Sequence, residues 1–330
     1  MSCTVTALPF PQTPCKRIGR LYEDAGGLHC DLGACGVELS LVCRGEVFLV
    51  CRSELPVYFQ AFVDGERALR PRVLGGAESF VRLTDALGEG EHTLRIIRET
   101  DVDFSGGTTV LCSLYGALDP DTVRATPMRE RFFEIVGDSV VVGKGSLAHR
   151  VYTADDPCHS ATNGFGYLAG DRLGDFSVFA RGGIAYCRRT EHIAKTIDEI
   201  YPYYNGFLPT PVPYDFPRRP DAVIVHCGVN DTGHCTDEEF SARFRAFTAQ
   251  IRSYYGDVPI VHAYNTVGDR RNALIERLCA EAGLFAVKLL ADDGGSSSRP
   301  GSLFHPCAAA QAKNAIILAD AVNEIISAKI

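Results

Sequence analysis

Four short motifs in the second half of the chain carry residue types suited to attack on an ester carbonyl. Ser139 stands in Gly137-Asp138-Ser139, directly after the apolar run FFEIVG (132–137). A serine at a strand-to-helix corner exposes its hydroxyl where a helix N-terminus favours developing negative charge. His305 stands in GSLFHPC (301–307), on a loop ahead of an Ala-rich helical segment, where a ring nitrogen can take a proton. Asn230, in Gly228-Val229-Asn230-Asp231, offers a side-chain amide to an oxyanion, and Gly182, with Gly183 as its neighbour, offers a backbone N–H. Taken singly, GDS is also an ordinary helix cap, and GVND and the glycine pair are also turns. The order Ser, Gly, Asn, His is far more specific than any one part.

These motifs follow a regular series of elements. FFEIVG (132–137), FSVFAR (176–181), AVIVHCG (222–228), PIVHAYN (259–265) and LFAVKLL (284–290) read as buried parallel strands. Between them lie helical stretches. DEEFSARFRAFTAQIRSYY (237–255) has Thr236 as N-cap with Glu239 three residues on, and RNALIERLCAEAG (271–283) ends on Gly283. Five strands alternating with helices predict a doubly wound three-layer α/β/α sandwich over residues 131–330. In such folds ligands sit beyond the carboxyl ends of the strands, where the four motifs fall.

The first half has a different rhythm. VELSLVC (37–43), EVFLVCR (46–52), VYFQAFV (57–63) and HTLRIIRE (92–99) are short runs of β-formers, and Asp64-Gly65 reads as a tight hairpin. Residues 1–120 are therefore expected to form an all-β sandwich or jelly-roll domain, with a turn-rich linker at 121–130.

The net charge of −8 argues against nucleic-acid and anionic-membrane partners. No apolar run reaches 18 residues, the length of a membrane span. The start MSCTVTALPFPQTPCKR lacks a charged leader followed by an apolar core, and 13 cysteines are scattered through both halves. Together these point to a reducing compartment, the cytoplasm.

The ordered blocks resemble the SGNH (GDSL-like) hydrolases. The stretches EHTLRIIRETD (91–101) and YDFPRRPDAVIVHCGVND (214–231) further resemble carbohydrate esterase family two, which joins a β-sandwich to an SGNH domain and removes acetyl groups from plant polysaccharides. The resemblance implies Ser139 as nucleophile, His305 as general base, and an oxyanion hole of the Ser139 and Gly182 N–H groups with the Asn230 amide. Asp138 and Asp231 then brace their loops. The implied substrate is an acetylated manno- or xylo-oligosaccharide, with no cofactor. An acetyltransferase using the same site and a non-catalytic glycan-binding protein are the alternatives, and the oligomeric state is left open.

One position departs from the family pattern, which places Asp three residues before the histidine. Here that residue is Ser302. The His305 ring can instead be oriented by a backbone carbonyl of the 302–304 turn, by the Ser302 hydroxyl, or by Asp292 or Asp293. A carbonyl only accepts, so it holds the tautomer a general base needs.

Sugar contacts are expected from Tyr201, Tyr203, Tyr204 and Asn205 in IYPYYNGF (200–207), and from Tyr186 and Tyr214. His226-Cys227 and His234-Cys235 flank GVND, but adjacent residues on a strand point to opposite faces. No metal site is expected from them.

Overall fold

The computed structural model describes residues 4–101, 107–148, 156–187, 195–264, 269–290 and 305–328. The chain divides into two compact units, Met1–Met128 and Arg129–Ile330.

The first unit is built on antiparallel strands: β1 Thr4–Pro9, β2 Lys16–Ile18, β3 Tyr22–Asp24, β4 Gly27–His29, β5 Gly36–Ser53, β6 Val57–Val63, β7 Glu66–Arg67, β8 Arg72–Val73, β9 Glu78–Arg82, β10 Leu87–Arg98, β11 Thr109–Leu118 and β12 Arg124–Ala125. The two expected strands at 37–43 and 46–52 are one strand of 18 residues, β5, because Gly45 (φ 71°) carries the chain on without reversing it. Its partners change along its length. One edge meets β10 and then β9, and the other meets β2, β12 and then β11. Leu39, Leu41, Leu49, Phe59, Ile96 and Leu114 fill the core, all fully buried. Asp64 and Gly65, both with positive φ, join β6 to β7. Part of the stretch expected as linker is strand: Arg124 and Ala125 pair with Ser40 and Leu39.

The second unit holds a five-stranded parallel sheet of β13 Phe132–Gly137, β14 Asp175–Ala180, β15 Ala222–His226, β16 Ile260–Tyr264 and β17 Phe285–Lys288, in the order β14-β13-β15-β16-β17. The helices are α1 Phe165–Leu173, α2 Ile197–Ile200, α3 Asp237–Tyr255, α4 Asp269–Ala282 and α5 Ala308–Ser327. α1 packs with α5, and α3 with α2 and α4, giving a layer on each face. The Thr236 hydroxyl caps α3 by accepting from the Glu239 N–H at 3.2 Å. The strand order reverses at β13, so the loops after β13 and β15 open on a crevice suited to a ligand. None of the described helices is long and apolar enough to cross a membrane.

Candidate active site

The turn after β13 is held tightly. A Cβ on Gly137 would lie 2.3 Å from Val141 Cγ2 and 2.6 Å from the His226 carbonyl oxygen, so only glycine lets the backbone close here. Asp138 is fully buried, and its Oδ1 accepts the Val140 N–H at 2.9 Å and lies 3.4 Å from His226 Nδ1. This brace fixes Ser139, which keeps 7% of its surface exposed.

His305 meets that serine from the far end of the chain: its Nε2 lies 2.7 Å from Ser139 Oγ. The approach is set by the first turn of α5, which is tied to the nucleophile turn. Ala308 N–H donates to the Ser146 carbonyl at 2.9 Å. Gln311, fully buried, donates Nε2–H to the Val140 carbonyl at 3.0 Å and accepts the Phe165 N–H at 3.0 Å. Gln311 carries no signal of chemistry in the sequence. Its only mark is that it and Asn314, three residues on, are amides on an otherwise apolar buried helix face.

Asn230 lies in a 3-10 turn, Val229–Asp231, entered through Gly228, whose φ of 125° is a backbone conformation for glycine. Its Nδ2–H donates to the Ile184 carbonyl at 2.9 Å, which sets the plane of the amide. Buried Asp231 accepts the Tyr186 N–H at 3.0 Å and the Cys187 N–H at 2.7 Å. Burial pushes its carboxyl up from the usual range, and the two backbone donors pull it back. Arg181 N–H donates to the Gly137 carbonyl at 3.2 Å. The loop carrying Gly182 is thus hung from the nucleophile turn at one end and the Asn230 turn at the other. The structure brings these four blocks together at the carboxyl edge of the sheet.

Three residues expected to touch sugar are core residues instead. Tyr186 is fully buried, with its hydroxyl 2.9 Å from His262 Nε2 and its ring among Phe240, Phe244 and Phe247. Tyr201 is fully buried and donates to Glu134 Oε2 at 2.5 Å. Asn205 is fully buried and accepts the Phe207 N–H at 3.2 Å, bracing its own turn. An aromatic-rich loop reads alike in sequence whether its rings face solvent or seal the layer beneath. Tyr204 and Tyr214 are half-buried and touch edge to face. Through Phe216 they continue onto Tyr254 and Tyr255, in the last turn of α3, which lies at the opposite edge of the sheet from Ser139. Tyr203 is half-buried and bridges to Pro213. Phe207, from the same stretch, lies under the Arg181 guanidinium at 3.6 Å, one residue from Gly182.

Of the His-Cys pairs, His226 faces Asp138 and Phe165, and Cys227 Sγ lies 3.9 Å from the Ile184 carbonyl on the other side. Ser302, Asp292 and Asp293 lie outside the described residues.

No protein-family model and no curated protein matches the sequence. Solved structures do. A family two carbohydrate esterase from Clostridium thermocellum, in complex with cellohexaose, superposes with a TM-score of 0.85 at 22% identity, over 95% of this chain and 99% of that one. The chain shares the fold of family two carbohydrate esterases. An acetyl xylan esterase from the rumen bacterium Butyrivibrio proteoclasticus has a TM-score of 0.83 at 16% identity, over 98% of this chain and 99% of that one. A salicylyl-acyltransferase from a tetracycline biosynthetic pathway has a TM-score of 0.66 at 14% identity, over 98% and 97%. The family two fold thus spans both units of this chain, the antiparallel one and the parallel one.

Proposed function

We propose that this protein is a serine esterase that removes acetyl groups from acetylated oligosaccharides. The observation that carries the reading is the 2.7 Å contact between Ser139 Oγ and His305 Nε2. Contact at that range lets the ring take the hydroxyl proton as the oxygen attacks.

Ser139 Oγ adds to the acetyl carbonyl while its proton passes to His305 Nε2. The carbonyl oxygen becomes an oxyanion, held by the Ser139 and Gly182 N–H groups and the Asn230 amide. Collapse breaks the bond to the sugar oxygen, which leaves with the proton from His305. Water then attacks the acetyl-serine in the same way, with His305 again as base, and acetate departs. The steps need no metal. The substrate we assign is a manno- or xylo-oligosaccharide carrying O-acetyl groups. Phe207, whose ring packs against Arg181, the residue before Gly182, is the aromatic surface we assign to a sugar ring, with Tyr203 earlier in the same loop. The cysteines, all free thiols among the described residues, suit a reducing cytoplasm.

The test is acetate release across a panel of acetylated oligosaccharides by the wild type and Ser139→Ala. Release by the wild type that falls by about 10⁴-fold or more in the variant supports the reading. No release, or equal release by both, overturns it and leaves a glycan-binding protein. A second reading is favoured by the shared fold with an acyltransferase: the same acetyl-serine passes its group to a sugar or alcohol. Transfer product exceeding free acetate at dilute acceptor would select it.

A further inference from the structure

We propose that Cys187, Asp231 and Cys235 form a binding site for a thiophilic divalent cation, zinc by preference. Their two Sγ atoms and a carboxylate oxygen all lie within 4.8 Å of one another, which no other trio of His, Cys, Asp or Glu achieves among the described residues. Two thiolates and one carboxylate are a donor set that selects zinc over calcium or magnesium, and three protein ligands leave a fourth position for water. Zinc–sulfur bonds of about 2.3 Å in a tetrahedron set the sulfurs about 3.8 Å apart, so the ligands close in by about 1 Å or less.

The surroundings fit the ion. Each Asp231 oxygen accepts one backbone N–H, from Tyr186 or Cys187, and keeps a lone pair for a metal while its orientation stays fixed. Two thiolates and a carboxylate carry three negative charges. A divalent ion cancels two, and the Arg271 guanidinium, 3.9 Å from Cys235 Sγ and 3.8 Å from Asp237 Oδ1, is shared between the third and the Asp237 carboxylate. Access is open: half-buried Cys235 lines a cavity of about 340 Å³ together with Arg271, Thr232 and Asp237. Binding replaces two S–H bonds with two S–metal bonds and releases two protons to solvent. Burial pushes both thiols up from the ordinary cysteine range in the metal-free chain.

The site has a consequence for the crevice. Cys187 lies five residues after Gly182, and Asp231 and Cys235 follow Asn230. An ion bridging them ties together the two loops that carry the donors assigned to the oxyanion. The inference does not depend on the esterase reading, since its measurement is metal content.

The fully reduced full-length chain is dialysed against zinc, and bound metal is counted in the wild type, Cys187→Ser, Cys235→Ser, the double variant and the control Cys112→Ser. One zinc per chain is expected in the wild type and the control, and none at this site in the double variant. Zinc should also raise the melting temperature of the wild type by a few degrees and leave the double variant unmoved. Cobalt(II) added to the wild type should give an intense thiolate charge-transfer band in the near ultraviolet, a readout that stands even if the variants fail to fold. No bound metal, the same stoichiometry in the double variant, or a cobalt spectrum without the thiolate band overturns the proposal.

Discussion

Gln311 donates its side-chain amide to the carbonyl of Val140 at 3.0 Å, joining two residues 171 positions apart. Val140 follows Ser139, and Gln311 lies in the first turns of α5, six residues after His305. The bond is fully buried, so it ties the element that presents the histidine to the turn that presents the serine.

Gln311→Leu keeps the volume and removes both bonds. It strands a buried Val140 carbonyl and a buried Phe165 N–H, and a destabilisation of about 1–3 kcal/mol is expected for each unpaired group. With His305 no longer held in register, kcat on an acetyl ester should fall about 10- to 100-fold with KM little changed. Denaturant unfolding and steady-state kinetics check both parts. A fall in stability alone would make the bond merely structural.

Asn230→Ala removes the side-chain donor from the oxyanion site. The expected loss is about 10²- to 10³-fold in kcat, which is about 3–4 kcal/mol of barrier. Asn230→Asp should lose at least as much, because a carboxylate repels the oxyanion it replaces a donor for. KM held constant while kcat falls is the mark of a contact made in the transition state.

The orienter of His305 is open to direct assay. Ser302→Ala, Asp292→Ala and Asp293→Ala should each keep much of the wild-type kcat if a backbone carbonyl accepts the ring proton. A loss approaching that of His305→Ala in any one of them names that side chain as the acceptor. Losing a triad carboxylate by amide replacement drops the rate about 10⁴-fold elsewhere, so the outcomes are well separated.

His262 sets a pH dependence of stability. Burial first, and the neighbouring His226 second, push its ring down from 6.5 to about 3. The unfolded chain takes up a proton as pH falls through 6.5, and the folded chain resists until about 3. Stability is therefore lost as pH falls across that window, by up to about 1.4 kcal/mol per pH unit. Between about pH 7 and pH 5 the share of His262 is about 2 kcal/mol. In His262→Gln that share of the loss should vanish, as read by urea unfolding at the two pH values.

Much of the parallel half was legible from its residues. Helix α3 runs from Asp237 to Tyr255 as its capping box and apolar spacing predict, and β13 covers the FFEIVG run. Buried strands and capped helices carry local signals, because each must satisfy its own backbone and bury its own face. The antiparallel half was legible in class and not in detail. β5 reads as two strands because Arg44-Gly45 looks like a stop, yet pairing with β10 and β11 on either side carries it through. Partners distant in sequence decided that, and no local pattern encodes them.

By itself the sequence determined the order of the four blocks, the alternation of strands and helices that places them at strand ends, and the change of rhythm between the two halves. The tertiary structure decided which residues meet. It set Ser139 against His305, hung the Gly182 loop between Gly137 and Asn230, and recruited Gln311. It also moved Tyr186, Tyr201 and Asn205 from the surface into the core and drew Cys187 to Cys235. The physical reason is that a side chain's role depends on what packs around it. Burial and close contact are sums over segments far apart in the chain, and only folding brings those segments within hydrogen-bonding distance.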